Sequence, residues 1–256
     1  MTMIRHTVYA GLTGMLLLSA SCASHYSMTG IERTRILVDA SYDNTDDPVA
    51  KRFLAPYKQK VDSVMSPVVG HLASNMKAQR PESDLSNLLA DIMVWAGKKY
   101  GEKPVVGIYN MGGIRAALSK GVITYGDVID VAPFENRICF LTLSGEKLMQ
   151  LFREIASVNG EGVSHGVRLV VTHDRKLKSA TLNGQPIDPH GSYRVATIDY
   201  LAEGNDKLTA FKDKTDFSFH NDAKHDARCI IADFFREKEK EGVVVDSKVE
   251  GRITVE

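Results

Sequence analysis

The sequence predicts an α+β fold, a single domain in which a mixed β-sheet is flanked by helices. Two observations support this prediction. Segments with the apolar spacing of helices are interleaved with short runs of β-branched residues, and turn signals such as Asn183-Gly184 occur among them. No sequence period repeats along the chain. Interleaved helices and strands with local hairpins are typical of one layered domain around one core.

The predicted helices follow from apolar spacing and from their end signals. The first begins at an aspartate cap, Asp46 or Asp47, followed by Pro48, a residue that is common at the first helical position. The second has a continuous apolar face and ends at Gly101. Helices are predicted over 46–65, 84–100, a short segment after Ile123, 144–157 and 226–240.

The predicted strands are short apolar runs bounded by turn residues. Asn183-Gly184 joins one of them to a short return over 185–187. An apolar island at 36–38 predicts one further edge strand, inside a polar segment over 22–45 that we interpret as a tether to a domain over 46–256. Strands are predicted over 68–72, 104–109, 138–143, 167–172, 177–182, 193–198 and 252–255.

The segment 104–118 is the part of the chain around which we expect the rest to be organised. Its apolar run stops at Asn110, Gly112 and Gly113 allow a tight turn, and helix-forming residues follow. A helix that begins at the end of a strand favours anions, and Arg115 adds a forked cation. A plain strand-to-helix connection with a surface arginine explains the same residues and remains an alternative.

Asn110-Met-Gly-Gly-Ile-Arg115 is similar to the Asn-x-Gly-Gly-Ile-Arg signature of the C-terminal, substrate-binding domain of the 5′-nucleotidase and UDP-sugar hydrolase family. Other segments resemble the family in order and spacing, from about residue 49 to the C terminus, and imply the fold of that domain. These segments are Leu85-Ser-Asn87-Leu-Leu-Ala-Asp91, Gly121-Val-Ile-Thr-Tyr-Gly-Asp127-Val, Ala132-Pro133-Phe134-Glu-Asn136, Leu143-Ser-Gly145-Glu-Lys-Leu148 and Tyr193-Arg-Val-Ala-Thr-Ile-Asp-Tyr200-Leu-Ala.

The resemblance implies a nucleotide or nucleoside ligand held by an aromatic clamp. The family holds the base between two rings, and the matching positions here are Phe134 and Tyr200. Asp206 falls where the family keeps an aspartate for the ribose hydroxyls. Core packing is the alternative for either aromatic residue alone, but the presence of both at matching positions favours stacking.

The resemblance also implies polar contacts to the ligand. Asn110 falls at the position of a base contact, Arg115 at that of a substrate-binding cation, and Gly112 and Gly113 in the turn between them. Arg80 lies close to the position of a second family arginine.

This chain departs from the family in the loop that usually reads Gly-Gly-Asp-Gly-Phe. Asn205, Lys207 and Leu208 replace three of its residues, and Glu135 replaces the usual glycine after Phe134. Asn205 can still adopt a left-handed turn, as the glycine it replaces would. These changes leave the identity of the base and sugar open.

Family members hydrolyse phosphate esters with a separate N-terminal metallophosphoesterase domain, whose two metals are held by Asp-x-His, Gly-Asp, Asn-His-Glu/Asp and Gly-His-x-His motifs. The Asn-His-Glu/Asp and Gly-His-x-His motifs do not occur here, so the set is incomplete, no cofactor is predicted on this chain and the divalent metals are expected on a partner. The segment 220–226 is rich in His and Asp, but its spacing suits helix caps better than a metal site.

The first residues predict export and lipid anchoring. Arg5 and His6 precede an apolar run over 8–18, and small residues then lead to Cys22. This pattern resembles a bacterial lipoprotein signal over 1–21, with Cys22 acylated and the chain held in the cell envelope. Ordinary secretion with a leftover cysteine remains an alternative.

The charge balance argues against nucleic-acid binding, and the two remaining cysteines offer no clear disulfide. Lys and Arg total 32, as do Asp and Glu, so no basic field is predicted to bind nucleic acid. Cys139 and Cys229 are interpreted as two separate thiols, although the sequence leaves their pairing open.

The leading hypothesis is a stand-alone lipoprotein that supplies nucleotide recognition to a separate metallophosphoesterase chain. A surface receptor that binds nucleotides without turnover is the second hypothesis. A structural lipoprotein that kept the fold and lost its pocket is the third, and the presence of Asn110, Arg115, Phe134 and Asp206 together argues against it.

Overall fold

The computed structural model describes residues 27–42, 47–219 and 223–256. Contacts divide the chain into two units, Met1–Lys51 and Arg52–Glu256. The described part of the first unit contains a 3-10 turn at Ala40–Tyr42 and the beginning of a helix. The predicted signal over 1–21 and Cys22 lie outside the described residues.

The helices predicted over 46–65, 84–100, after Ile123, 144–157 and 226–240 are confirmed with small shifts at their ends. Asp47 accepts a hydrogen bond from Val49 N at 2.8 Å and so caps the first. The second continues as a 3-10 turn to Tyr100 and ends at the left-handed Gly101. The helices are α1 (Pro48–Met65), α2 (Asp84–Ala96), α3 (Tyr125–Val131), α4 (Gly145–Ser157), α5 (Asp199–Ala202) and α6 (Ala227–Lys240).

Eleven strands in the described residues form three sheets. β1 and β3 form an antiparallel pair, the second sheet has the order β10-β4-β9-β2-β5, and the third has the order β11-β6-β7-β8. Both larger sheets are mixed, because β2 runs parallel to β9 and β11 runs parallel to β6. The strands are β1 (Val68–Leu72), β2 (Val106–Tyr109), β3 (Gly121–Thr124), β4 (Ile138–Ser144), β5 (Gly162–Val163), β6 (Val167–Val171), β7 (Leu177–Leu182), β8 (Gln185–Pro186), β9 (Ser192–Ile198), β10 (Thr215–Phe219) and β11 (Ile253–Val255).

The core lies where α2 packs on the five-stranded sheet. All four residues of β2 are buried, and the predicted apolar face of α2 is buried as well. A Cβ added at Gly107 in β2 would lie 2.2 Å from the carbonyl oxygen of Ala90 in α2. Helix and strand therefore approach more closely than a larger residue at position 107 would allow.

The segment before the sheets differs from expectation. The edge strand predicted over 36–38 is wrong, because these residues pair with no strand in the described part of the chain and their side chains are exposed. A short apolar run without a neighbouring strand has no partner for its backbone groups. The amphipathic α1 is confirmed, but its apolar side chains, including Phe53 and Tyr57, are exposed.

In the described residues, no helix combines the length and apolar character needed to cross a bilayer. Cys139 and Cys229 are both free, as expected for separate thiols. Cys139 in β4 is fully buried, which raises the pKa of its thiol and keeps it protonated, whereas Cys229 is partly exposed.

Arg252 is a buried cation that joins three elements. Its guanidinium forms two 2.8 Å bonds to the carboxylate of Asp91 in α2, and it donates to the carbonyl oxygen of Val163 in β5 at 2.8 Å. Its Nε also donates to Glu250, on its own segment, at 3.0 Å. This guanidinium therefore holds the C-terminal segment against α2 and the edge of the five-stranded sheet.

We expect Arg252→Leu to lower the free energy of unfolding by about 2–4 kcal/mol, because Asp91 and the Val163 carbonyl lose their donor. Urea unfolding followed by circular dichroism measures the change. Lys178→Ala is the control, because it removes a pair with Glu256 in which both side chains are more than half exposed, and it should cost less than about 1 kcal/mol. Equal losses in the two variants would contradict the role of Arg252.

Candidate functional site

Three strands of the central sheet bring three loops to one edge. β2 and β9 are parallel neighbours, so their carboxyl ends lie together. β4 is antiparallel to β9, with Ile138 opposite Ile198, so β4 begins at the same edge. The turn after β2, the loop before β4 and the segment after β9 therefore meet, although they are far apart in sequence.

These loops enclose a cavity of about 250 Å³. This volume is slightly below the usual range for small-molecule sites, which begins at about 300 Å³. The turn after β2 contributes three residues, the loop before β4 two, and the segment after β9 two. The lining residues are Asn110, Gly112, Gly113, Phe134, Asn136, Tyr200 and Asp206.

Six predicted site residues line this cavity. Phe134 and Tyr200 contribute rings that are 49% and 39% exposed, which is high for aromatic residues and inconsistent with core packing. Asn136 was missed, although it stands two places after Phe134 in a motif that the sequence displays. Its amide donates to Asp199 Oδ1 at 3.0 Å, which fixes the side chain beside α5.

Asp206 connects the two sides of the cavity. Its Oδ2 accepts from Asn110 Nδ2 at 2.8 Å, and its Oδ1 accepts from the Tyr200 hydroxyl at 2.9 Å. The bond to Asp206 raises the pKa of Tyr200, so the phenol remains a donor at neutral pH. Each carboxylate oxygen has a further lone pair with which to accept from a ligand.

The loop that carries Asp206 turns through left-handed residues. Gly204, Asp206 and Lys207 have φ of 83°, 54° and 66°, whereas Asn205 does not adopt the left-handed conformation that is open to it. Asn205 instead donates from its side chain to the carbonyl oxygen of Tyr200 at 2.8 Å. Leu208 is fully buried and anchors the loop in the core.

The glycine turn is crowded on one side. A Cβ at Gly113 would lie 2.5 Å from Asn110 Oδ1, whereas a Cβ at Gly112 would meet nothing closer than 3.8 Å. Asn110 is buried, and its Oδ1 accepts no hydrogen bond from the described residues. Gly113 therefore leaves the space in which the Asn110 side chain lies.

The helix that was expected to begin after Gly113 is not formed. The chain makes a 3-10 turn at Met111–Gly113 and then leaves in extended conformation at Ile114. The Arg115 backbone N–H donates to the carbonyl oxygen of Val131 at 2.9 Å. Because that N–H already has a partner and the chain is extended at Ile114, the segment after Gly113 presents no helix N-terminus to the cavity.

Two predicted residues lie outside the cavity lining. The Arg115 guanidinium is exposed and donates to the carbonyl oxygen of Gly112 at 3.4 Å, so it lies beside the turn. Arg80 is paired with the buried Glu161 at 2.7 Å. No sequence motif pointed to Glu161.

The described residues do not fit a metal centre. In that part of the chain, no group of three or more His, Cys, Asp or Glu side chains is arranged to hold a metal ion. Within the candidate segment, His220 and Asp222 lie outside the described residues. Asp226 caps α6 by accepting from Arg228 N at 2.9 Å, as expected for a helix start.

A family profile described as the 5′-nucleotidase C-terminal domain matches residues 68–213. The chain belongs to this family. The trifunctional nucleotide phosphoesterase protein YfkN of Bacillus subtilis (strain 168) is 30% identical over 228 residues, which are 81% of this chain and 15% of YfkN. The family assignment agrees with the predicted α+β fold and with the order of the motifs.

Solved structures share the fold. The 5′-nucleotidase precursor of Thermus thermophilus matches 81% of this chain and 43% of its own, with a TM-score of 0.70 and 27% identity. The sulfate thiohydrolase SoxB of the same species matches 80% of this chain and 37% of its own, with a TM-score of 0.58 and 16% identity. The chain spans less than half of each of these relatives, and the fold alone does not decide the ligand.

We expect Gly113→Ala to displace Asn110 and to lower the free energy of unfolding by about 1–3 kcal/mol, because the new methyl group overlaps Asn110 Oδ1. Thermal unfolding and the NMR signal of the Asn110 side-chain amide report the two effects. Gly112→Ala is the matched control, since it adds the same methyl group one residue away in ordinary contact, and it should leave the Asn110 signal in place. A Gly113→Ala variant as stable as Gly112→Ala would disprove the crowding.

Proposed function

We propose that this domain recognises a nucleoside or nucleotide and is the substrate-holding half of a 5′-nucleotidase-type phosphoester hydrolase. One observation carries the proposal. A single cavity combines two exposed aromatic rings with the carboxylate of Asp206 and the amide of Asn110. The carboxylate is fixed by hydrogen bonds from Asn110 and from the hydroxyl of Tyr200. This combination suits a flat base joined to a sugar with vicinal hydroxyls.

Each part of the cavity has a chemical role in the proposal. The rings of Phe134 and Tyr200 offer apolar faces on which a base can stack. Asp206 provides acceptors for ribose hydroxyls, and the amides of Asn110 and Asn136 provide polar contacts to the base. The relatives named for nucleotide substrates support this choice.

Arg115 is proposed as the contact to the phosphate. Its guanidinium is exposed beside Gly112, which itself lines the cavity. A phosphate attached to a nucleoside in the cavity would extend towards this turn, where a forked cation can bind two of its oxygens.

We propose that a separate metallophosphoesterase chain completes the hydrolase and carries the divalent metals. The described residues hold no ligand cluster suited to them, so no step of hydrolysis is assigned to this chain. Acylation at Cys22 is proposed to keep the protein in the cell envelope. Anchoring both chains to one membrane would raise their effective concentration, so that a weak interface suffices.

A non-catalytic nucleotide receptor is the second proposal. The seven residues that line the cavity already offer stacking faces and polar groups to a nucleotide, as a receptor needs. The two proposals differ in whether a phosphoesterase gains activity when this chain is added.

We expect Phe134→Ala to weaken binding of both adenosine and AMP by about 1–3 kcal/mol, because a stacking surface is lost. Arg115→Ala should weaken AMP binding more than adenosine binding, since the removed cation contacts only the phosphate. Calorimetric titration measures both. Phe217→Ala is the matched aromatic control, because Phe217 is 46% exposed but lies outside the cavity. Unchanged affinity of a folded Phe134→Ala variant would remove the clamp from the proposal.

We expect this chain to raise phosphate release from AMP when it is mixed with a cognate metallophosphoesterase, because each supplies what the other lacks. The enhancement should be lost with Asp206→Ala and retained with Arg175→Ala, which alters an exposed residue on the β6–β7 turn. Tight AMP binding without any enhancement would favour the receptor proposal.

A further inference from the structure

Glu161 is a buried carboxylate beside the cavity. The residue is 2% exposed and immediately precedes β5. Because Gly162 pairs with Tyr109 at the end of β2, Glu161 lies level with the turn that begins at Asn110. Burial of an acidic residue is costly, so its partners must explain its position.

Both oxygens of Glu161 have partners. Oε1 accepts from Arg80 Nη2 at 2.7 Å, and Oε2 accepts from the backbone N–H of Met111. Arg80 is fixed in turn, because its Nη1 donates to the carbonyl oxygen of Val158, next to the end of α4, at 2.9 Å. The carboxylate thus joins the end of α4 to the glycine turn.

Met111 stands between two cavity-lining residues, Asn110 and Gly112. The hydrogen bond that the Met111 N–H donates to Glu161 fixes the peptide between Asn110 and Met111. The Asn110 side chain donates to Asp206. Asp206 accepts from Tyr200 in turn. A continuous series of hydrogen bonds therefore runs from Arg80 through Glu161 and the turn to both sides of the cavity.

We propose that Glu161 is a positioning residue for the ligand cavity: its carboxylate, oriented by Arg80, holds the glycine turn so that Asn110 reaches Asp206. The inference rests on the proposed function for its ligand and goes beyond it by assigning roles to two residues that touch no ligand. Arg80, expected from the family resemblance to bind substrate, becomes the residue that orients Glu161.

The charges around Glu161 predict a pH signature. Desolvation raises the pKa of Glu161, the Met111 N–H and Arg80 oppose that rise, and the nearby Asp206 adds to it. The net shift is upward, so Glu161 takes up a proton at a higher pH than an ordinary glutamate. Protonation weakens the ion pair with Arg80. We therefore expect the NMR signal of the Asn110 side-chain amide to shift with pH as Glu161 takes up its proton.

The experiment follows the Asn110 side-chain amide by NMR and measures binding of adenosine and AMP by calorimetry in Glu161→Gln, Glu161→Ala and Arg80→Gln. Glu161→Gln keeps the volume of the side chain and one acceptor, which favours folding. Glu102→Ala is the matched control, because it also removes a mostly buried carboxylate paired with an arginine, Arg194, but outside the cavity lining.

We expect Glu161→Ala to shift the Asn110 signal and to weaken adenosine binding about tenfold or more, because a charged acceptor of two hydrogen bonds is lost. Arg80→Gln should have a smaller effect, since the bond from Met111 persists. Glu161→Gln should abolish the titration of the Asn110 signal above the ordinary glutamate range, and Glu102→Ala should change neither signal nor affinity.

An unchanged Asn110 signal in folded Glu161→Ala would overturn the inference, as would a titration of that signal that persists in Glu161→Gln, or an effect of Arg80→Gln larger than that of Glu161→Ala. If the unaltered chain binds neither adenosine nor AMP, the proposed function fails. The Asn110 signal still decides the role of Glu161 in that case, because it is read without ligand.

Discussion

The parallel pairing of β2 with β9 determines where the candidate site forms. Val106 lies opposite Val195 and Gly107 opposite Ala196, so the two strands end side by side. The Thr197 hydroxyl donates to the carbonyl oxygen of Ile108 at 3.0 Å and reinforces the pair close to that edge. A shift in this register would separate Asn110 from Asp206, whose contact depends on both strands ending together.

Two buried charged groups, Arg252 and Glu161, stabilise the elements around this sheet edge. Arg252 fastens the C-terminal segment to α2 and β5, and Glu161 fastens the turn after β2 to the end of α4. Both groups have partners at every charged end, which is the condition under which a buried charge specifies structure and does not weaken it. The sheet edge is therefore held by directional bonds as well as by apolar packing.

Much of the fold could be predicted from the sequence, because the apolar spacing of α2, α4 and α6 and the β-branched runs of the long strands are local signals. Local signals failed where distant groups decide the conformation. The segment after Gly113 has helix-forming residues, yet the Arg115 N–H bonds to Val131 and the chain stays extended. β5 is only two residues long and has no pattern of its own.

The site was predicted in the same uneven way. Motif positions identified the lining residues except Asn136, because each stands in a segment whose residues resemble the family. Arg80 was placed by its position in the family pattern, and the structure pairs it with Glu161 outside the cavity lining. Glu161 carries no motif, since its importance arises only when β5 pairs with β2.

The loop that carries Asp206 is a place where residues beside the cavity can change without altering the fold. Its start is fixed by α5 and its end by the buried Leu208, while Glu203 and Lys207 between them are exposed. Exposed loop positions between firm anchors can exchange residues at little cost in stability. Ligand preference in this lineage can therefore drift through a few substitutions beside Asp206, while the sheet that presents the cavity remains unaltered.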